Sequence, residues 1–162
     1  MPELQREQTD LRGETAPLKS EELKTELRHD PAYQAYKFLY VGFVLLPLIA
    51  GEDKFSNNFA DWGQYLAPAI QNAIGISTDT FMRGVGAIEM IAAIGVLWKP
   101  RIFSYVVAAW LGGIIVNLLL RGDFYDIALR DFGLALAALA FARLASKYSK
   151  PKTVPQTKPV YH

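Results

Sequence analysis

The run RIFSYVVAAWLGGIIVNLLL, Arg101 to Leu120, narrows the possible folds more than any other stretch of the chain. Its middle, VVAAWLGGIIV, is apolar all the way round, without the polar stripe at a 3.6-residue period that a helix of a water-soluble bundle presents. After the opening Arg101 only Asn117 is strongly polar. A bilayer-crossing helix needs roughly 17–25 predominantly apolar residues. It satisfies every backbone group internally, as hydrocarbon demands.

Three further runs accompany it: AYKFLYVGFVLLPLIAG (Ala35–Gly51), FMRGVGAIEMIAAIGVLW (Phe81–Trp98) and IALRDFGLALAALAFARLAS (Ile127–Ser146). The first is long enough if its tyrosine-rich entry counts, from about Tyr33. The last is long enough if Arg130 and Asp131 lie at the interface. Gly84, Gly86, Gly112 and Gly113 suit close helix packing in lipid, and Pro47 is tolerated better there than in water. The sequence therefore predicts an all-α integral membrane protein, a four-transmembrane-helix bundle over residues 33–146. The alternative is a soluble four-helix bundle with unusually apolar helices.

Charge is concentrated outside the bundle. A polar arm, residues 1–32, is expected to be partly disordered, with a short surface helix from Ser20 (SEELKTELRHDP) that ends near Pro31. Residues 147–162 form a Lys/Pro-rich tail, also expected to be disordered, whose lysines suit contact with anionic headgroups. Lysine and arginine counts place the arm, the WKPR turn and the tail on one side, so both termini are expected in the cytoplasm. The opposite side carries Lys54, Arg121 and Arg130 among many acids, and no signal peptide is expected. Trp62, Tyr65, Trp98, Tyr105, Tyr125 and Tyr148 are expected at the interfaces. In the long loop Glu52–Thr80, FADWGQYLAPAIQNAIGI reads equally as a short amphipathic helix or an ordinary loop. The WKP turn makes the second and third spans antiparallel neighbours.

Composition excludes several chemistries. With no cysteine, the chain cannot supply disulfides, thiol catalysis, iron–sulfur ligation or a Cys-type zinc site. The two histidines, His29 and His162, lie outside the apolar body, which therefore offers no histidine pair to a b-type haem. No metal site and no intrinsic cofactor are expected. The charges, 17 Lys+Arg against 16 Asp+Glu, form no basic patch for nucleic acid.

Glu89 is the candidate functional residue. A charge at the centre of a span costs a few kcal/mol even on insertion scales, so such a group is functional by default. It can exchange a proton with a quinone headgroup or hydrogen-bond its carbonyl. Equally, it can lock two helices together. Arg83, six residues earlier, lies about 240° around the helix from it and reaches Asp79 more readily. Lys54 can snorkel inward from the end of span one. Topology gathers Arg83, Lys54, Asn117, Arg130 and Asp131 above Glu89, as a polar site or as an interfacial salt-bridge network. Met82, Met90, Phe43, Phe81, Phe103, Trp110 and Phe141 are assigned to packing, and Tyr36 and Tyr40 to interface anchoring. No residue is assigned a catalytic role.

Three motifs in order, GEDKF (Gly51–Phe55), GAIEMIAAIGVL (Gly86–Leu97) and ALRDFGLALAAL (Ala128–Leu139), resemble the DoxX-like family of small four-helix membrane proteins. The resemblance covers roughly Tyr36 to Leu144 and places Gly51, Lys54, Phe55, Glu89 and Asp131 on the family pattern. It implies a membrane of the bacterial cytoplasmic type and an accessory or quinone-facing subunit of a membrane redox complex, with quinone as the ligand. Its expected partners are the lipid bilayer and other membrane or redox subunits. A lone thiol redox role is out of reach without cysteine. Two other functions are open: a small transporter or permeability factor with Glu89 and Arg83 lining a path, and a purely structural or assembly subunit.

Overall fold

The computed structural model describes residues 25–149, and they are all-helical. The expected helix start at Ser20, the rest of the arm and the tail from residue 150 lie outside the described residues. Helical backbone at residues 25–29 ends at Asp30, which caps the next helix by accepting the Ala32 N–H at 2.9 Å. That helix, α1 (Pro31–Ser56), is followed by a 3₁₀ turn (Trp62–Tyr65) and a short helix α2 (Pro68–Ile74). Three long helices complete the chain: α3 (Thr78–Trp98), α4 (Pro100–Arg121) and α5 (Tyr125–Tyr148).

Local chemistry sets the ends. Ser77 caps α3 through the Thr80 N–H. Lys99 alone separates α3 from α4, and Pro100 opens α4 in the first-turn position where its missing N–H costs nothing. Gly122 ends α4 at φ +80°, a left-handed conformation suited to glycine.

Between Glu52 and Ser56 the sequence reading needs correcting. These residues were assigned to the loop, yet α1 runs through them and stops at Asn57, which takes the left-handed cap at φ 54°. Asp53 and Lys54 therefore belong to the last turn of a helix, and both are buried. The loop beyond contains helix, as one of the two readings of FADWGQYLAPAIQNAIGI has it.

The long helices close a ring in the order α1, α3, α4, α5. The most extensive packing is α1 on α3 and α4 on α5, while α3 meets α4 and α5 meets α1 over smaller areas. Neighbours run antiparallel. Tyr40 near the start of α1 donates to the Leu97 carbonyl near the end of α3, and Tyr148 at the end of α5 donates to Asp30 at 2.6 Å. The half of the bundle that holds these two contacts is solid. There Phe43 stacks on Phe141 at 5.6 Å, with Ala92, Val96, Val107 and Ala138 around them.

Three helices, α1, α3 and α4, are long and apolar enough to cross a membrane. The fourth, α5, has 24 residues but carries Arg130, Asp131 and Arg143 along its length and does not reach that standard. Large apolar side chains face outward, among them Ile91, Ile94, Ile102, Val116 and Leu120. A soluble bundle would bury them, whereas lipid is the solvent in which this outward face is at rest.

Of the glycines read as packing positions, only Gly86 is one. A Cβ on Gly86 would stand 2.5 Å from the Gly51 carbonyl oxygen, and one on Gly51 would stand 2.7 Å from that of Gly86. Gly84, Gly112 and Gly113 have nothing within contact distance of a Cβ.

Candidate functional site

The α1–α3 crossing at Gly51 and Gly86 builds the site. Lys54 follows Gly51 by three residues and Glu89 follows Gly86 by three, so each charge shares a helix face with its glycine. In antiparallel helices this places Lys54 against Gly86 and Glu89 against Gly51. The outcome is a buried ion pair, with Lys54 Nζ 2.7 Å from Glu89 Oε2 and both side chains at least nine-tenths buried. Lys54 Nζ also donates to the Ala50 carbonyl at 3.3 Å and sits 3.6 Å from the centre of the Trp62 ring. The three ammonium protons are thereby directed to a carboxylate, a carbonyl and an aromatic face.

Asp53, the residue before Lys54, organises the loop above. Its carboxylate accepts from Trp62 Nε1 at 2.7 Å, from the Asn58 N–H at 2.9 Å and from the Phe59 N–H at 3.1 Å. Consecutive residues of α1 thus hold one indole, Asp53 by its edge and Lys54 by its face. Asn117 on α4 fixes the other end of the loop, accepting the Ala67 N–H at 2.9 Å and donating to the Tyr65 carbonyl at 2.8 Å. Tyr65 in turn packs on Phe124.

Beneath this loop the four helices part around a cavity of about 570 Å³. Phe43, Ala92 and Val107 line it where it meets the solid half of the bundle, and Phe59, Trp62 and Tyr65 line it on the loop side. Its walls are chiefly apolar. Lys54, Glu89, Asn117, Arg130 and Asp131 are the polar exceptions, and all five were expected together from topology. Arg130 reaches Asp131 Oδ1 at 3.2 Å, but its own side chain is largely exposed.

Arg83 is the exception to that expectation. It is exposed, lines no part of the cavity and pairs with neither Asp79 nor any other acid among the described residues. The rotation between positions 83 and 89 turns it away from the bundle. Trp62 and Tyr65, expected as interface anchors, instead form the loop side of the cavity. Trp110, assigned to packing, lines the cavity with its Nε1 buried and without an acceptor. The Lys54–Glu89 pairing spans 35 residues and has no local signature, although the Gly-x-x-charge spacing repeated on both helices is a trace of it. Asp53 was missed because GEDKF reads as loop.

Among the described residues no three His, Cys, Asp or Glu side chains are arranged to hold a metal ion. The chain matches no family model, no curated protein and no solved structure.

Proposed function

We propose that this chain is a four-span membrane protein of DoxX-like type that binds a quinone in the cavity between its helices and serves as the quinone-facing, accessory subunit of a membrane redox complex. In this reading α5 is the fourth span, with Arg130 and Asp131 at the interface. The termini share the cytoplasmic side of a bacterial-type membrane. The observation that carries the proposal is the cavity itself. It is large, apolar and closed on one side by an ordered loop, and a buried ion pair stands in its wall, a combination suited to an apolar molecule with a polar head. The motif resemblance supplies quinone as that molecule.

A conduction path lined jointly by Glu89 and Arg83 has no geometric support, because Arg83 faces away from the cavity. A purely structural role accounts for the ion pair but not for the space beside it. The test is purification of the tagged chain from its native membranes in mild detergent, with partners identified by mass spectrometry and the lipid extract assayed for quinone. Enriched quinone with a stoichiometric oxidoreductase partner is the expected result. A large complex without quinone would leave the structural role, and a lone chain without quinone would overturn the proposal.

A further inference from the structure

The buried ion pair leaves one of its carboxylate oxygens without a partner in the cavity wall. Glu89 uses Oε2 to hold Lys54, while no donor among the described residues reaches Oε1. A carboxylate paired in this way is an acceptor only. Trp110 also lines the cavity, but its Nε1 is buried away from the cavity surface and offers a ligand nothing. Lys54 has no proton left to offer, since Glu89, Ala50 and the Trp62 ring take all three. A carbonyl oxygen facing Glu89 would therefore meet a second acceptor and be repelled, whereas a hydroxyl there would donate.

Charge narrows the ligand further. The four ionisable residues that line the cavity, Lys54, Glu89, Arg130 and Asp131, form two internal pairs. No charge of either sign is left over to receive an ionised headgroup, and burying one without a partner is costly. The rest of the wall is apolar apart from Asn117, whose amide holds the loop, and the rings of Trp62 and Tyr65.

We propose that the cavity takes a neutral, lipid-soluble hydroxyl compound, a phenol or quinol, whose O–H donates to Glu89 Oε1. The inference rests on the reading of the cavity as a quinone site and deepens it: the reduced form is the one the site prefers. Glu89 thus reads the ligand's protonation state.

The test uses the full chain in lipid nanodiscs, titrated anaerobically by calorimetry with a decyl-tailed benzoquinone and with the same compound reduced by two electrons. The quinol is expected to bind roughly tenfold more tightly, as one added hydrogen bond to a charged group implies. Glu89→Gln should bring the two forms close together, because an amide both donates and accepts. The dimethyl ether of the quinol, which keeps the ring but has no O–H to donate, should lose the roughly tenfold advantage and serves as the test should Glu89→Gln not fold. Tighter or equal binding of the quinone overturns this inference and leaves the quinone site standing. Binding of the dimethyl ether as tight as that of the quinol overturns the O–H contact to Glu89. Binding of neither compound overturns both readings.

Discussion

At the scale of single residues, Lys54 and Glu89 depend on each other. Two charges taken out of water are expensive unless they are paired and hydrogen-bonded, and this pair is both. Its contribution is therefore a matter of mutual compensation. Lys54→Met strands a buried carboxylate and is expected to destabilise the protein by about 3–5 kcal/mol. Adding Glu89→Leu should restore most of that loss, and thermal unfolding of the wild type, Lys54→Met and the double variant in detergent measures both effects. A double variant as unstable as the single one would contradict the compensation. At the far end of α1, Asp30 accepts from Tyr148 and from the Ala32 N–H, with Lys147 3.8 Å away. The Tyr148 hydroxyl first, then the Ala32 N–H and Lys147, hold its carboxyl below the usual carboxylate range. A depressed pKa in the folded state contributes stability that is present above the unfolded value, about 4, and is lost as pH falls through the folded value. Asp30→Asn should therefore be less stable near neutrality and lose less than the wild type on acidification below about pH 4. A parallel acid profile in both proteins would sink the assignment.

At the scale of elements, the α1–α3 crossing rests on Gly51 and Gly86, whose backbones meet with no room for a Cβ. Gly86→Ala must push the helices apart and with them Lys54 and Glu89. Gly84→Ala, two residues away, meets nothing and should be neutral or stabilising by up to about 1 kcal/mol from helix propensity. Melting temperatures of the two variants separate packing from composition, and equal effects would refute the crossing. The elements themselves were legible in the sequence. The apolar runs predict α3, α4 and α5 to within three residues or fewer, because an uninterrupted apolar face leaves few alternatives. The end of α1 was not legible. Charged residues after an apolar run read as a loop, whereas here Lys54 pairs with Glu89 on α3 and Asp53 holds the chain that follows the helix. The gathering of Lys54, Asn117, Arg130 and Asp131 near Glu89 followed from topology. The specific Lys54–Glu89 partnership did not, since contacts between distant positions have no periodic signal, and the free Trp110 nitrogen is visible only once its neighbours are placed.

At the scale of the whole molecule, one half of the bundle is filled by Phe43, Phe141 and their neighbours, and the other half opens under a loop held by Asp53 and Asn117. The absence of cysteine makes orientation simple to measure. Single cysteines at Asn58 and Asp123 are expected to react with an impermeant maleimide from the outer face, and cysteines at Ser149 and Glu26 only after permeabilisation. Labelling of positions 123 and 149 from the same side would contradict α5 as a span. The proposed quinone site is the space between the helices. Gly113 lines that space, and a Cβ there meets nothing, so Gly113→Leu adds bulk to the cavity without disturbing a contact. Equilibrium binding of a decyl-tailed quinone–quinol pair to purified wild type and Gly113→Leu is the direct measurement. Saturable one-to-one binding by the wild type is expected, with at least a tenfold loss in the variant and a ligand-free melting temperature that is unchanged or raised by helix propensity. Equal binding by the two proteins, or none by the wild type, would contradict it.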